Sequence, residues 1–197
     1  MKLEPVVLEG DAVRLEPLSM SHHAALCEVS LGCGLYRFFP FRMDTKDELR
    51  DYIETAQCRQ ALGTALPFAT RDRVSGAVAG STSYLAIEQA HRRLEIGATW
   101  LAPKWQRTAL NTEAKLLLVT HAIERLSMNR VEFKTDARNA RSRAALLRIG
   151  ATEEGTFRSH MVMPDGHLRD TVYYSIVAAD WPEIKFRLKE RVAAGAR

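Results

Sequence analysis

One stretch of the chain combines the end of a strand, a short loop and the start of a long helix. The strand segment ends at Pro103, and the loop Gln106–Asn111 leads into an apolar helix that is predicted to carry Glu113 in its first turn. The first turn of a helix has unpaired backbone N–H groups and the positive end of the helix dipole, so this junction can bind a phosphate group. An ordinary strand-to-helix connection has the same outline, and the outline alone leaves both interpretations open.

The spacing of apolar residues predicts the elements that position this junction. A capping box at Thr45 and Glu48 opens one helix, and Pro164-Asp165-Gly166 forms a hairpin turn between the last two strands. The predicted order is β-α-α-β-β-β-α-β-α-β-β followed by a terminal helix. This order is typical of an α/β (α+β) protein with a mixed sheet and helices on both faces.

The predicted strand Arg93–Leu101 runs directly into the loop. Strict alternation assigns its side chains to two faces of the sheet. One face is expected to carry Leu94, Ile96, Ala98 and Trp100, and the other Glu95, Gly97 and Thr99.

Composition narrows the class of protein. The chain has 197 residues, a formal charge of +4 and 46% hydrophobic residues, so we expect one globular domain spanning residues 1–197. The small excess of basic residues argues against a nucleic-acid partner, and no apolar run has the ~18 residues that span a bilayer. The three cysteines lack metal-ligand or disulfide spacing, and no secretory signal is recognisable. A cytoplasmic protein without a metal or a membrane partner is expected.

The loop and its surroundings resemble the acyl-CoA-binding motif of the GNAT superfamily of N-acetyltransferases. The family pattern is Gln/Arg-x-x-Gly-x-Gly/Ala, and this chain has Gln106-Arg107-Thr108-Ala109-Leu110-Asn111. Flanking similarity lies in Leu94-Glu95-Ile96-Gly97, Trp100-Leu101-Ala102-Pro103, Asn111-Thr112-Glu113-Ala114-Lys115, Asn139-Ala140-Arg141-Ser142 and Ile149-Gly150-Ala151. The resemblance runs from about Val7 to Ile184 and is closest to the RimJ/RimL-like branch of ribosomal-protein N-terminal acetyltransferases.

The resemblance implies a mostly antiparallel central sheet that is splayed at an acyl-CoA cleft and flanked by helices. It also implies acetyl-CoA as the acyl donor, with loop amides holding the pyrophosphate and Thr112 beside them. Strand residues would pair with the pantetheine arm, and Asn139 would hydrogen-bond to it. The implied cofactor-binding residues are Thr99, Trp100, Leu101, Gln106, Arg107, Thr108, Ala109, Leu110, Asn111, Thr112 and Asn139.

Three positions depart from the family pattern. Ala109 replaces the first loop glycine, and Arg107 stands where close relatives often have glycine. Alanine costs little at an ordinary helical φ, whereas the arginine side chain could either bond to a phosphate or point into solvent. Leu146 occupies the position of the tyrosine that often protonates the departing thiolate, so the usual acid is missing.

Two residues are candidates for the chemistry that the resemblance implies. Acetylation requires the attacking amine to lose a proton, and Glu95 on the central strand is the first candidate base. The alternative is a solvated carboxylate or one paired with Arg92 or Arg93. Ser142 is expected near the CoA sulfur, or else as a residue that caps the following helix.

The acceptor site is expected to be lined by aromatic residues. The loop Leu35–Phe41 contains Tyr36 and Phe39, which the resemblance places at the acceptor pocket, although packing against the sheet is an alternative. His160 in the closing hairpin is a further candidate. One of the neighbours Tyr173 and Tyr174 is expected in the core and the other toward the cleft.

These features favour an acetyl-CoA-dependent N-acetyltransferase that moves an acetyl group directly to a primary amine. The acceptor would be a protein N-terminus or a small-molecule amine, and a homodimer is implied by the family. The alternative is an acyl-CoA-binding module with little turnover, because of Arg107, Ala109 and Leu146. A third hypothesis, a ribosome- or nucleic-acid-associated binding protein, depends on the basic pI and predicts an affinity that falls steeply with salt.

Overall fold

The computed structural model describes residues 4–195. Every strand and helix predicted from the spacing is present, and a two-residue strand precedes them. The elements are β1 (Leu8–Glu9), β2 (Val13–Pro17), α1 (His23–Ser30), α2 (Lys46–Ala61), β3 (Leu66–Asp72), β4 (Val78–Glu88), β5 (Arg93–Leu101), α3 (Ala109–Thr120), β6 (Arg130–Asp136), α4 (Ala140–Arg148), β7 (Thr152–Val162), β8 (Leu168–Val177) and α5 (Trp181–Gly195). After α3 the chain continues as a π-helical segment over His121–Arg125.

Within residues 4–195 the strands form one eight-stranded sheet in the order β1-β2-β3-β4-β5-β6-β8-β7. Among the described strands only β5 and β6 run parallel, and they pair at three positions, from Arg93 opposite Arg130 to Glu95 opposite Glu132. Beyond Glu95 the two strands separate, while β5 stays paired with β4 and β6 with β8. The predicted mixed sheet with a splayed centre is confirmed.

Helices cover both faces of the sheet and form two cores. The larger core joins β5 and β6 side chains such as Leu94 and Phe133 to α3, α4 and α5. The smaller core joins the opposite face to α1 and α2, with Ile53 and Trp100 among its members. The two cores hold β5 from both faces of the sheet, with Leu94, Ile96 and Leu101 in the larger core and Trp100 in the smaller one.

A β-bulge in β5 overturns the predicted assignment of its faces. Ser81 on β4 pairs with Trp100 and Ser83 pairs with Gly97, so two β5 residues lie opposite Thr82. Ala98 has φ +48°, in the left-handed region that a bulge can require. The extra residue shifts the alternation, so Trp100 packs on the α1–α2 face while Leu94 and Ile96 pack on the α3 face. The prediction that all three share a face was wrong.

Glu113 has a different role from the predicted one. It lies beyond the first turn of α3, is 4% exposed, and accepts hydrogen bonds from the backbone N–H groups of Asp11, Ala12 and Val13 at 2.7–2.9 Å. The Glu113 carboxylate therefore holds the start of β2 against α3, the helix that follows the loop Gln106–Asn111.

We expect Glu113→Gln to destabilise the fold by about 2–3 kcal/mol, because an amide presents N–H groups to backbone donors that need acceptors. Urea unfolding measures this loss. Glu183→Gln, on the exposed first turn of α5, is the matched control and should stay within about 0.5 kcal/mol of the parent. Equal unfolding midpoints for the two variants would contradict the anchoring role.

Candidate active site

The gap between β5 and β6 is the centre of the candidate site. From Ile96 to Leu101, β5 is paired with β4 on one side only. Its other backbone edge is therefore available to an extended ligand, which can add to the sheet as a strand does. The bulge at Ala98 and Thr99 lies within this edge and leaves one residue without a cross-strand partner.

The loop that follows β5 is held at both ends by side-chain hydrogen bonds. Gln106 donates through Nε2 to the Leu101 carbonyl at 2.8 Å, and its Oε1 accepts from Arg141 at 2.7 Å. Thr108 is the N-cap of α3, and its hydroxyl accepts from the Leu110 N–H and donates to the Trp105 carbonyl. These hydrogen bonds fix the position of the first turn of α3. The backbone N–H groups of this turn that remain unpaired can bind a phosphate group.

The two loop positions that depart from the family pattern differ in conformation. Ala109 is the first residue of α3, so alanine fits there as expected. Arg107 is exposed and has φ +62°, a conformation that glycine adopts at no steric cost. Arg107 therefore has a strained backbone conformation at a position where close relatives often have glycine.

The remaining predicted cofactor-binding residues are a mixture of core and cleft positions. The side chains of Trp100, Leu101 and Leu110 are buried in the two cores, so only their backbone groups can contact a ligand. Asn111 and Thr112 lie half-buried in the first turn of α3.

The start of α4 is capped by Asn139. Its Oδ1 accepts a hydrogen bond from the Ser142 N–H at 3.1 Å. The interpretation of Ser142 as the cap was wrong, since Ser142 supplies the capped N–H group. The Asn139 amide N–H groups and the Ser142 hydroxyl remain as candidates for contact with the pantetheine arm and the sulfur.

Glu95 lies where β5 and β6 begin to separate, and its partner is on the other side of the gap. Its carboxylate forms an ion pair with Lys134 on β6 at 2.9 Å. The alternative pairing with Arg92 or Arg93 was wrong, because Arg93 pairs with Glu88 and Glu132. Burial alone would lower the pKa of Lys134, but the Glu95 carboxylate outweighs burial and holds that pKa above its usual value.

Gly97 leaves the space that the Glu95 carboxylate occupies. A Cβ at this position would lie 2.7 Å from Glu95 Oε1 and 2.9 Å from Leu85 Cδ1. We expect Gly97→Ala to displace the carboxylate and lower kcat roughly 10-fold, with little change in acetyl-CoA affinity. Steady-state kinetics beside calorimetry checks this, and unchanged kcat would show that the position of the carboxylate is not critical.

The aromatic loop before α2 is mostly core. Tyr36 is buried and packs edge-on against Trp100 at 5.4 Å and against Phe39 at 5.8 Å. Tyr36 is therefore a packing residue, and the structure corrects its assignment to the pocket lining. Phe39 is half-buried in the same cluster, whereas the Phe38 ring lies close to the guanidinium groups of Arg37 and Arg138.

The closing hairpin adds a second aromatic cluster on the cleft side. His160 is exposed and packs against Phe157 and Tyr173, with Lys134 above the Tyr173 ring at 4.9 Å. Tyr174 is fully buried in the larger core, which confirms the prediction that one of the two tyrosines is a core residue, while Tyr173 lies half-buried beside Lys134.

Lys115 is a cleft residue that sequence reasoning missed. It is 4% exposed on α3, donates to the Thr99 hydroxyl at 2.8 Å, and lies 5.9 Å from the Phe133 ring centre. Lys115 therefore contacts residues of both β5 and β6. Burial lowers the pKa of Lys115 to about 7, and among residues 4–195 it has no carboxylate in ion-pair contact. The helical periodicity assigns position 115 to the buried face, but only the three-dimensional contacts reveal the Thr99 hydroxyl.

Two further findings concern residues 4–195. No group of three or more His, Cys, Asp or Glu side chains is arranged to hold a metal ion. No helix in that range has both the length and the apolar character needed to cross a membrane.

Comparison with known proteins identifies the family. The model of the acetyltransferase (GNAT) domain matches residues 12–152. The curated Bacillus subtilis protein YdaF, which carries a provisional ribosomal N-acetyltransferase name, is 36% identical over 106 residues. That match covers 54% of this chain, and the chain spans only 57% of the length of YdaF.

Solved structures match over almost the whole chain. A GCN5-related N-acetyltransferase from Brucella melitensis is 31% identical with a TM-score of 0.89, covering 98% of this chain and 87% of that one. RimJ from Mycobacterium smegmatis, solved with CoA-disulfide, shares the fold with a TM-score of 0.78 at 24% identity, covering 98% and 93% of the two chains. Since the family model covers well over half of its residues, this chain belongs to the GNAT family of acetyltransferases and is an acyltransferase.

Proposed function

We propose that this protein transfers the acetyl group of acetyl-CoA directly to a primary amine. The observation that carries the proposal is the separation of the parallel strands β5 and β6 directly beside a capped helix N-terminus. The N-terminus of α3 can bind the pyrophosphate of CoA. The unpaired backbone edge of β5 can pair with the pantetheine arm, which would extend from the pyrophosphate to the bulge.

In this proposal the acceptor nitrogen attacks the thioester carbonyl carbon, the C–N bond forms and the C–S bond breaks. Backbone N–H groups at the bulge around Ala98 and Thr99 polarise the carbonyl oxygen. Glu95, directly or through a water molecule, takes the proton that the amine loses. The thiolate leaves toward the start of α4, where the Ser142 hydroxyl stabilises it.

The comparisons support this direction. Members of the family use acetyl-CoA, and the RimJ structure contains a CoA derivative. The name of YdaF supports placement in the RimJ/RimL-like branch and a protein amino terminus as one acceptor class. The same proposal includes one domain over residues 1–197, assembly as a homodimer and a cytoplasmic location.

Release of free CoA thiol from acetyl-CoA in the presence of a panel of amines tests the proposal. We expect amine-dependent release with formation of the N-acetyl product. The strained Arg107 and the apolar Leu146 favour the second candidate, an acyl-CoA-binding module. Acetyl-CoA binding without release over the whole panel would support that candidate and overturn the transferase proposal.

A further inference from the structure

Two side-chain polar atoms on β8 are buried and have no hydrogen-bond partner within residues 4–195. The Arg169 side chain belongs to a residue that is 5% exposed and the Thr171 hydroxyl to one that is fully buried. Within the described chain, neither Arg169 Nε nor Thr171 Oγ1 has a partner. Because an unsatisfied buried donor is costly, two of them at neighbouring positions on one face suggest that a ligand completes the site.

Strand register places both groups on the side of the sheet where the acceptor is expected. Val172 and Tyr174 point into the larger core, so Arg169, Thr171 and Tyr173 lie on the opposite face. On that face Tyr173 pairs with Lys134, the partner of Glu95. The unpartnered groups are therefore on the same surface as the proposed base.

The charged side chains that act most strongly on Arg169 already have partners of opposite charge. Lys134 is paired with Glu95, and Arg138 binds Asp136 through two hydrogen bonds of 2.8 and 3.0 Å. Arg169 has no carboxylate in ion-pair contact among the described residues, although Asp136 and Glu95 are near enough to favour its charged form. Burial outweighs them and lowers the pKa of Arg169, as expected for a guanidinium that lacks a close anion.

We propose that Arg169 and Thr171 bind a carboxylate of the acceptor, so that the substrate class is an amine that also carries an acidic group. This inference rests on the proposed acetyl transfer and specifies its acceptor. A free amino acid and a peptide with an acidic residue near its N-terminus both supply this chemistry. A polyamine or an aminoglycoside would bring further positive charge beside the unpaired Arg169 guanidinium.

The experiment compares acceptors that differ only in charge. Acetyl transfer is measured with amino acids and with their amides, with N-terminal Asp or Glu peptides and their Asn or Gln counterparts, and with spermidine. We expect the acidic member of each favoured pair to have a kcat/KM roughly 10- to 100-fold higher, as for hydrogen bonds to a charged group. Whichever acidic series is acetylated with the higher kcat/KM, the free amino acids or the Asp and Glu peptides, identifies the source of the carboxylate. Equal rates for acid and amide, or faster transfer to spermidine, would overturn the assignment while the transferase proposal stands.

Variants separate recognition from folding. Arg169→Met should abolish the preference for the acid by raising KM, with kcat changed much less, and Thr171→Val should reduce the preference without loss of an existing hydrogen bond. Arg187→Met on the exposed face of α5 is the matched control. An Arg169→Met variant that keeps the preference would overturn the assignment, and so would one that loses kcat alone.

Calorimetric binding of the acidic acceptor to the CoA-saturated protein gives a result that does not require turnover. Binding that Arg169→Met weakens while CoA affinity stays unchanged supports the carboxylate site, even if no acceptor is acetylated and the transferase proposal fails. Equal binding of acid and amide to the parent protein overturns the site.

Discussion

Glu95→Gln is expected to lower kcat by roughly 10²- to 10⁴-fold while the Kd for acetyl-CoA stays unchanged. Glutamine keeps the size of the side chain but cannot accept a proton from the attacking amine. The carboxylate lies where β5 and β6 separate, outside the loop that would hold the pyrophosphate, so donor binding should be unaffected. Single-turnover kinetics and calorimetry on the same preparation measure the two quantities.

Lys134→Met is the control that separates proton transfer from ion pairing. Both variants break the Glu95–Lys134 ion pair, but only Glu95→Gln removes the carboxylate. We expect Lys134→Met to retain much more activity than Glu95→Gln. If the two variants lose activity equally, the ion pair matters and Glu95 is not the base.

Lys115→Met is expected to stabilise the fold by up to about 5 kcal/mol at neutral pH and below, on the scale of 1.36 kcal/mol per pKa unit. The Lys115 ammonium is buried, its polar partner is the neutral Thr99 hydroxyl, and burial lowers its pKa to about 7. Methionine fills the same space without the charge, and Thr99 keeps its hydrogen bond to Thr82.

The gain should depend on pH in a defined direction. Between the folded pKa of about 7 and the usual lysine pKa of about 10.4, the unfolded chain binds more protons than the folded chain, so the stability of the parent rises with pH. Lys115→Met lacks this rise. Its advantage in free energy of unfolding should therefore be full below pH 7 and disappear as the pH approaches 10. An advantage that is constant with pH, or a destabilised variant, would show that the ammonium is not the source of the cost.

Local spacing was enough to predict the main strands and helices. The capping box at Thr45, the Pro164-Asp165-Gly166 turn and the apolar helix after the loop Gln106–Asn111 each depend on sequence features within a few residues. The strand β1 was missed because two residues are too few to display alternation.

The candidate site was predictable only in part, because its details depend on contacts between distant segments. Alternation cannot anticipate a bulge, so Trp100 was assigned to the wrong face of β5. The roles of Glu113 and Lys115 depend on backbone and hydroxyl groups far away in the sequence. The unpartnered state of Arg169 follows from the register of β8 with its neighbours, which no local pattern encodes.

Calorimetric titration with acetyl-CoA tests the central claim most directly, comparing the parent with Thr108→Asp/Asn111→Asp. Aspartate at position 108 can still cap α3, so the added charges should repel the pyrophosphate without unfolding the helix. The control is Thr45→Asp, the same change at the N-cap of α2. We predict that the parent and the control bind acetyl-CoA and that the double variant loses roughly 100-fold or more in affinity. Failure of the parent to bind, or equal binding by all three proteins, would contradict the assignment of this loop as the CoA site.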